Sequence, residues 1–86
     1  MPASFVFIDG DGNDIELEVV KKACDNFDRS NGVDVDNGGN TLYMVLQSAA
    51  VTHRDLGSFA AVNAYCARVA TYLQKEIGLT SFSVWR

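Results

Sequence analysis

From Phe59 to Ile77 apolar residues return every three or four positions, as Phe59, Val62, Cys66, Val69, Leu73 and Ile77. That spacing lines one side of an α-helix. Gly78 follows, where a helix commonly ends in a left-handed residue. The next segment, Thr80-Ser81-Phe82-Ser83-Val84-Trp85, alternates polar and apolar and predicts a half-buried strand. A helix that runs straight into a strand has to lay its apolar side on the sheet that strand joins. The chain is thereby directed to an α+β domain.

The remainder supplies partners for that unit. Ser4-Phe5-Val6-Phe7-Ile8 is rich in aromatic and β-branched residues and stops at Asp9-Gly10-Asp11-Gly12, so a strand followed by a turn is predicted. Asn13 and Glu16 stand at capping-box spacing, and Leu17, Val20, Ala23, Cys24 and Phe27 then recur at helical steps. A helix over residues 14–29 is expected. The alternation Ile15-Glu16-Leu17-Glu18-Val19 would also suit a strand, but the helical period persists for two turns beyond it. Asn31-Gly32 ends the helix. Val33-Asp34-Val35-Asp36 alternates strictly, Asn37-Gly38-Gly39-Asn40 has hairpin-turn chemistry, and Thr41-Leu42-Tyr43-Met44-Val45-Leu46-Gln47 reads as a further strand. Residues 48–54 are expected to form a loop, with Asp55 or Ser58 capping the second helix.

The predicted order is β-α-β-β-α-β in one domain over residues 1–86. The first and third strands are apolar on both faces and belong in the centre; the second and fourth alternate and belong at the edges. This matches a ferredoxin-like split βαβ fold: a four-stranded antiparallel sheet, order 4-1-3-2, with two helices on one face. Two helices shelter only one side of such a sheet. Tyr43, Val45 and Trp85, with either Phe5 and Phe7 or Val6 and Ile8, would then form an apolar patch on the other. A patch of that kind predicts contact with another protein or a second copy, unless residues 48–54 or the chain ends fold over it.

Charge is unevenly placed. Residues 1–50 hold nine acids and three bases, while residues 51–86 hold two acids and four bases. An acidic half repels phosphates, so direct nucleic-acid binding is disfavoured. Asp9, Asp11, Asp14, Glu16, Glu18, Asp25 and Asp28 fall on the first loop or first helix. They are read either as a solvated face or as a surface steering toward a basic partner. No apolar run approaches the roughly 20 residues of a membrane helix. The first residues lack a basic n-region and a long apolar stretch, so no signal peptide and a cytoplasmic location are expected. Cys24 and Cys66 lie on apolar helix positions and are read as reduced core thiols.

No motif points to catalysis or to a cofactor. The run from Asp9 to Asp14 resembles the opening of an EF-hand loop, but Asp14 stands where glycine is needed and Val20 where a bidentate glutamate is needed. Val6-Phe7-Ile8 resembles one short motif of RNA-recognition domains, whose second motif should carry a basic residue, glycine and alternating aromatics. Residues 41–47 carry Tyr43 alone. His53 is the single histidine and is read as a loop residue. In size and charge the chain resembles the small acidic proteins that viruses and mobile elements use to inhibit host defence. That resemblance implies a non-enzymatic domain bound to a basic, nucleic-acid-handling protein. The alternatives are a homodimeric regulatory module joined through the open sheet face, and a small enzyme with a divalent metal on Asp9 and Asp11.

Overall fold

The computed structural model describes residues 4–36, 39–51 and 54–85, with side chains left out at 4, 5, 49–51, 54, 55 and 83–85. The elements in chain order are β1 (Ser4–Asp9), β2 (Asp14–Ile15), α1 (Leu17–Ser30), α2 (Asn40–Val51), β3 (Arg54–Asp55), α3 (Leu56–Ala60), α4 (Ala64–Ile77) and β4 (Leu79–Trp85). The strands form one antiparallel sheet in the order β2-β1-β4-β3, whose outer members are two residues long.

The β1–β4 pair is the spine. Phe7 stands opposite Phe82 and Val6 opposite Ser83, but Asp9 pairs with Leu79 and Ile8 with Ser81. Thr80 is therefore the extra residue of a bulge, and its hydroxyl donates to the Ile8 carbonyl at 3.1 Å. The bulge has a packing purpose. It lets Leu79 and Phe82, three residues apart, both point into the core. On that face the Phe82 ring meets Phe7 at 6.4 Å and Phe59 at 6.0 Å in tilted and edge-on contacts. Val20, Cys24 and Phe27 of α1, Val45 of α2 and Val69 and Leu73 of α4 close over them.

The ferredoxin-like arrangement is overturned. Adjacency of the first and last strands is retained, but the order 4-1-3-2 is not, and helices outweigh strands. Residues 41–47 lie within helix α2. Thr41 and Val45 are fully buried, Leu42, Met44 and Leu46 are half-buried, and Tyr43 faces solvent. That is helical and not two-fold periodicity. A continuous apolar run fits either element, and the Ala49-Ala50-Val51 extension gives it helical length. Residues 48–51, expected in a loop, complete this helix.

Residues 33–36 form no strand. The alternation is real in burial, with Val33 and Val35 half-covered and Asp34 and Asp36 exposed. Their backbone instead turns, with Asp36 N–H donating to Asp34 Oδ1 at 2.9 Å. The first helix starts at Leu17, because Asp14 and Ile15 pair with Ile8 and Phe7. No capping box forms. Asn13 N–H is spent on Asp9 Oδ1 at 3.0 Å, and Glu16 takes the N-cap position without a side-chain bond. The long second helix is broken in two. Asn63 is fully extended, its Oδ1 accepting from Cys66 N–H at 2.8 Å as the cap of α4, and Val62 is turned out to solvent. Gly78 ends α4 at φ 70°, as its position implied.

Candidate protein-docking surface

The acids do not form one face. Asp9 is the pivot of the β1–β2 turn: its Oδ1 accepts from Asp11 N–H at 2.9 Å as well as from Asn13, and Gly12 turns the chain at φ 84°. Asp11, Asp14, Glu16 and Glu18 then project from the turn and the start of α1, all exposed. No base precedes Lys21 in the sequence. Leu17 and Val19 lie among them and are 45% and 43% exposed. This end of the molecule is thus acidic with apolar side chains left open to water.

Asp25 and Asp28 belong elsewhere. Asp25 is half-buried, and Asp28 is 1% exposed, so its place among partner-facing acids is corrected. Asp28 is an internal cap for α2. Its Oδ2 accepts from Thr41 N–H at 3.1 Å and its Oδ1 from the Thr41 hydroxyl at 2.5 Å. A threonine hydroxyl has one proton. With that proton given to Asp28, the contact from Thr41 Oγ1 to Tyr65 Oη is donated by tyrosine. One buried carboxylate on α1 thereby ties the first turn of α2 to α4 through Tyr65.

Cys24 lies one helical turn before Asp28. Burial pushes its thiol up to about 12, and the charges of Asp28 and Asp25 add to the rise. Cys24 and Cys66 are both buried and unbridged. A thiol held this strongly protonated is a packing group and not a nucleophile.

The apolar patch expected on the open sheet face is not assembled as foreseen. Val45 is buried inside α2, and Tyr43, 65% exposed, stands on that helix and not on the sheet. Val6 and Ile8 remain on the face away from the helices, half-buried, with Ser81 beside them. Trp85 pairs with Ser4 in β4, but its side chain lies outside the described residues, as does His53. Among the described residues no group of three or more His, Cys, Asp or Glu has the arrangement of a metal site. Among them, too, no helix is long and apolar enough to cross a membrane.

A feature not anticipated from sequence is a groove between α1 and α4. The helices run antiparallel: Phe27 packs on Tyr65 and Tyr72 at 6.0 and 5.2 Å, and Val19 meets Ile77 and Glu76 at the other end. Near Phe27 the groove widens to about 410 Å³, floored by Phe27, Ala67 and Tyr72 and rimmed by Arg68 and Lys75. Arg68 rests over the Tyr65 ring at 5.6 Å. The groove was latent in the pattern of Tyr65 and Tyr72 flanking the apolar stripe. Comparison with known protein families, with curated proteins and with solved structures finds no match for this chain.

Proposed function

We propose that this chain is a small acidic, non-enzymatic interaction domain whose β1–β2 turn and α1 start dock on a basic protein surface, such as that of a nucleic-acid-handling complex it would block. The observation that carries the reading is the exposure of Asp11, Asp14, Glu16 and Glu18 around Leu17 and Val19, with the nearest bases in sequence, Lys21 and Lys22, one helical turn beyond and beside Glu18. Carboxylates at the rim speed encounter with a cationic surface and fix its orientation. Exposed apolar side chains among them supply area to bury, which charge alone does not.

The test is affinity capture from the native host, followed by association kinetics with the captured protein. Reversal of Asp11, Glu16 and Glu18 to lysine is expected to slow association by at least about tenfold at low salt and to flatten its salt dependence. Association equally fast in the reversed protein rules out this surface.

A further inference from the structure

We propose that the helix-free face of the sheet receives an amphipathic, basic α-helix of the docking partner, an inference that rests on the reading of the acidic end and extends it. In an antiparallel sheet, residues directly opposite one another share a face. Register therefore places Asp14, Ile8, Ser81 and Asp55 in one row across β2, β1, β4 and β3. The row lies away from the core, since Ile15 and Phe7, one step along β2 and β1, are the residues that pack into it. Val6 shares the outer face of β1 with Ile8, and neither is among the side chains packed on the core. Glu16 keeps the extended backbone of β2, at φ −66° and ψ 146°, so it follows Asp14 on that face. Asp14 and Glu16 are exposed, while Val6, Ile8 and Ser81 are half-buried. An aliphatic pair is thus bordered by two carboxylates, and the far position of the row, on β3, is again an aspartate.

The geometry selects the occupant by excluding others. An added strand finds little to pair with on β1. Asp9 N–H donates to the Asn13 carbonyl at 2.9 Å and the Asp9 carbonyl accepts from Gly12 N–H at 3.1 Å, so Asp9, Phe7 and Phe5 turn their backbone groups toward β2. Phe7 is matched by Ile15, which leaves Phe5 alone for a newcomer among the described residues. A second copy is disfavoured by charge. The row has an acid at each end and no base, so no half-turn sets acid over base, and two chains of net charge −4 repel. A helix of opposite charge fits. Val6 and Ile8 stand about 7 Å apart along β1. Side chains four residues apart on a helix are spaced about 6 Å along its axis, so one apolar ridge covers both. Lysines or arginines on the neighbouring ridge then reach Asp14 and Glu16. The small Ser81 lets the helix come close. The aliphatic area is modest, so an isolated helix is expected to bind weakly and to loosen with salt.

The test is an NMR titration of the whole isotope-labelled chain with a helical peptide of leucine and lysine at amphipathic spacing, beside a peptide of the same composition in scrambled order. The expected result is amide shifts at Val6, Ile8, Asp14 and Ser81 with the amphipathic peptide, and binding of the scrambled one weaker by about tenfold or more. Ser81→Lys and Asp14→Lys should each weaken the amphipathic peptide by about tenfold, while Asp11→Lys, off the row, should leave it unchanged. Circular dichroism confirms that each variant is folded. Shifts confined to the turn at residues 9–13, equal binding of the two peptides, or binding that Ser81→Lys and Asp14→Lys both leave unchanged overturns the inference. So does a dimer in sedimentation that Ser81→Lys dissolves, because the face then belongs to a second copy. The captured partner separates this inference from the reading it rests on. If reversal of Asp11 and Glu18 slows its association and Ser81→Lys does not, the inference falls and the acidic end stands. If Ser81→Lys weakens the complex and that reversal has no effect, the sheet face stands and the acidic end falls.

Discussion

A carboxylate sealed from water destabilises a small domain unless donors reach it, and Asp28 has them in Thr41 N–H and the Thr41 hydroxyl. The cluster leaves no room beside it. A Cβ on Gly39 would sit 2.6 Å from Asp28 Oδ2 and 2.9 Å from Asp25 Oδ1. Asp28 cannot retreat without releasing the first turn of α2. Gly39→Ala is therefore expected to cost about 1–3 kcal/mol, read as a lower urea midpoint with an unchanged slope. The neighbouring thiol offers a pH test. Cys24 ionises near 9 when unfolded and near 12 in place, so folding is favoured by its thiol form. Its contribution is whole below pH 9 and is lost as pH rises toward 12, by at most ~1.4 kcal/mol per pH unit. Stability of the native protein should fall more steeply over that range than that of Cys24→Ala, and Cys24 should resist thiol reagents until the chain unfolds. Asp28 was hard to read from sequence because its partner is 13 residues away. One sign was available: Val20, Cys24 and Asp28 follow one another at steps of four, which puts the aspartate on the apolar stripe.

Elements with strong periodicity were legible, and those without it were not. The stripe Val20, Ala23, Cys24, Phe27 announced α1, and the alternation after Gly78 announced β4. Residues 41–47 are apolar at nearly every position, so period could not decide, and the hairpin-turn chemistry of residues 37–40 outweighed Leu42, Met44, Leu46 and Gln47, all good helix formers. The error had consequences. It placed Tyr43 and Val45 on a sheet that does not contain them, and with them the predicted sheet-face interface. The break between α3 and α4 was signalled by Asn63, an N-cap residue directly before Ala64, but hidden by a stripe that runs across it through Val62. The cap gives a direct check. Asn63→Ala removes the acceptor for Cys66 N–H and is expected to lower stability by about 1 kcal/mol, whereas Asn63→Asp or Asn63→Ser should retain most of it. Thermal unfolding of the three variants side by side measures the difference.

At the scale of the whole molecule, charge separation was legible and its geometry was not. The acid-rich first half was plain in the sequence, yet only the structure shows how it divides: Asp28 is buried as the cap of α2, Glu18 and Asp25 share a shallow pocket with Lys21, Lys22 and Arg29, and Asp11, Asp14 and Glu16 are left at the β1–β2 turn and the start of α1. The sheet has a similar long-range character. Its spine pairs Ser4–Asp9 with Leu79–Trp85, so the segment closed by β1 and β4 contains all the helices. Non-local pairing of this kind slows folding relative to a helical bundle of equal size.

The same pairing decides how the molecule responds to tension. Because β1 and β4 are antiparallel, handles attached at Ser4 and Trp85 pull on the same end of the ladder. The load reaches the backbone bonds one rung after another, as a zipper opens, and never all at once as in a shear. A protein held together by a well-filled aromatic core is thus expected to part at low force when drawn out by its ends, its weakness lying in the direction of pull and not in the strength of its interior.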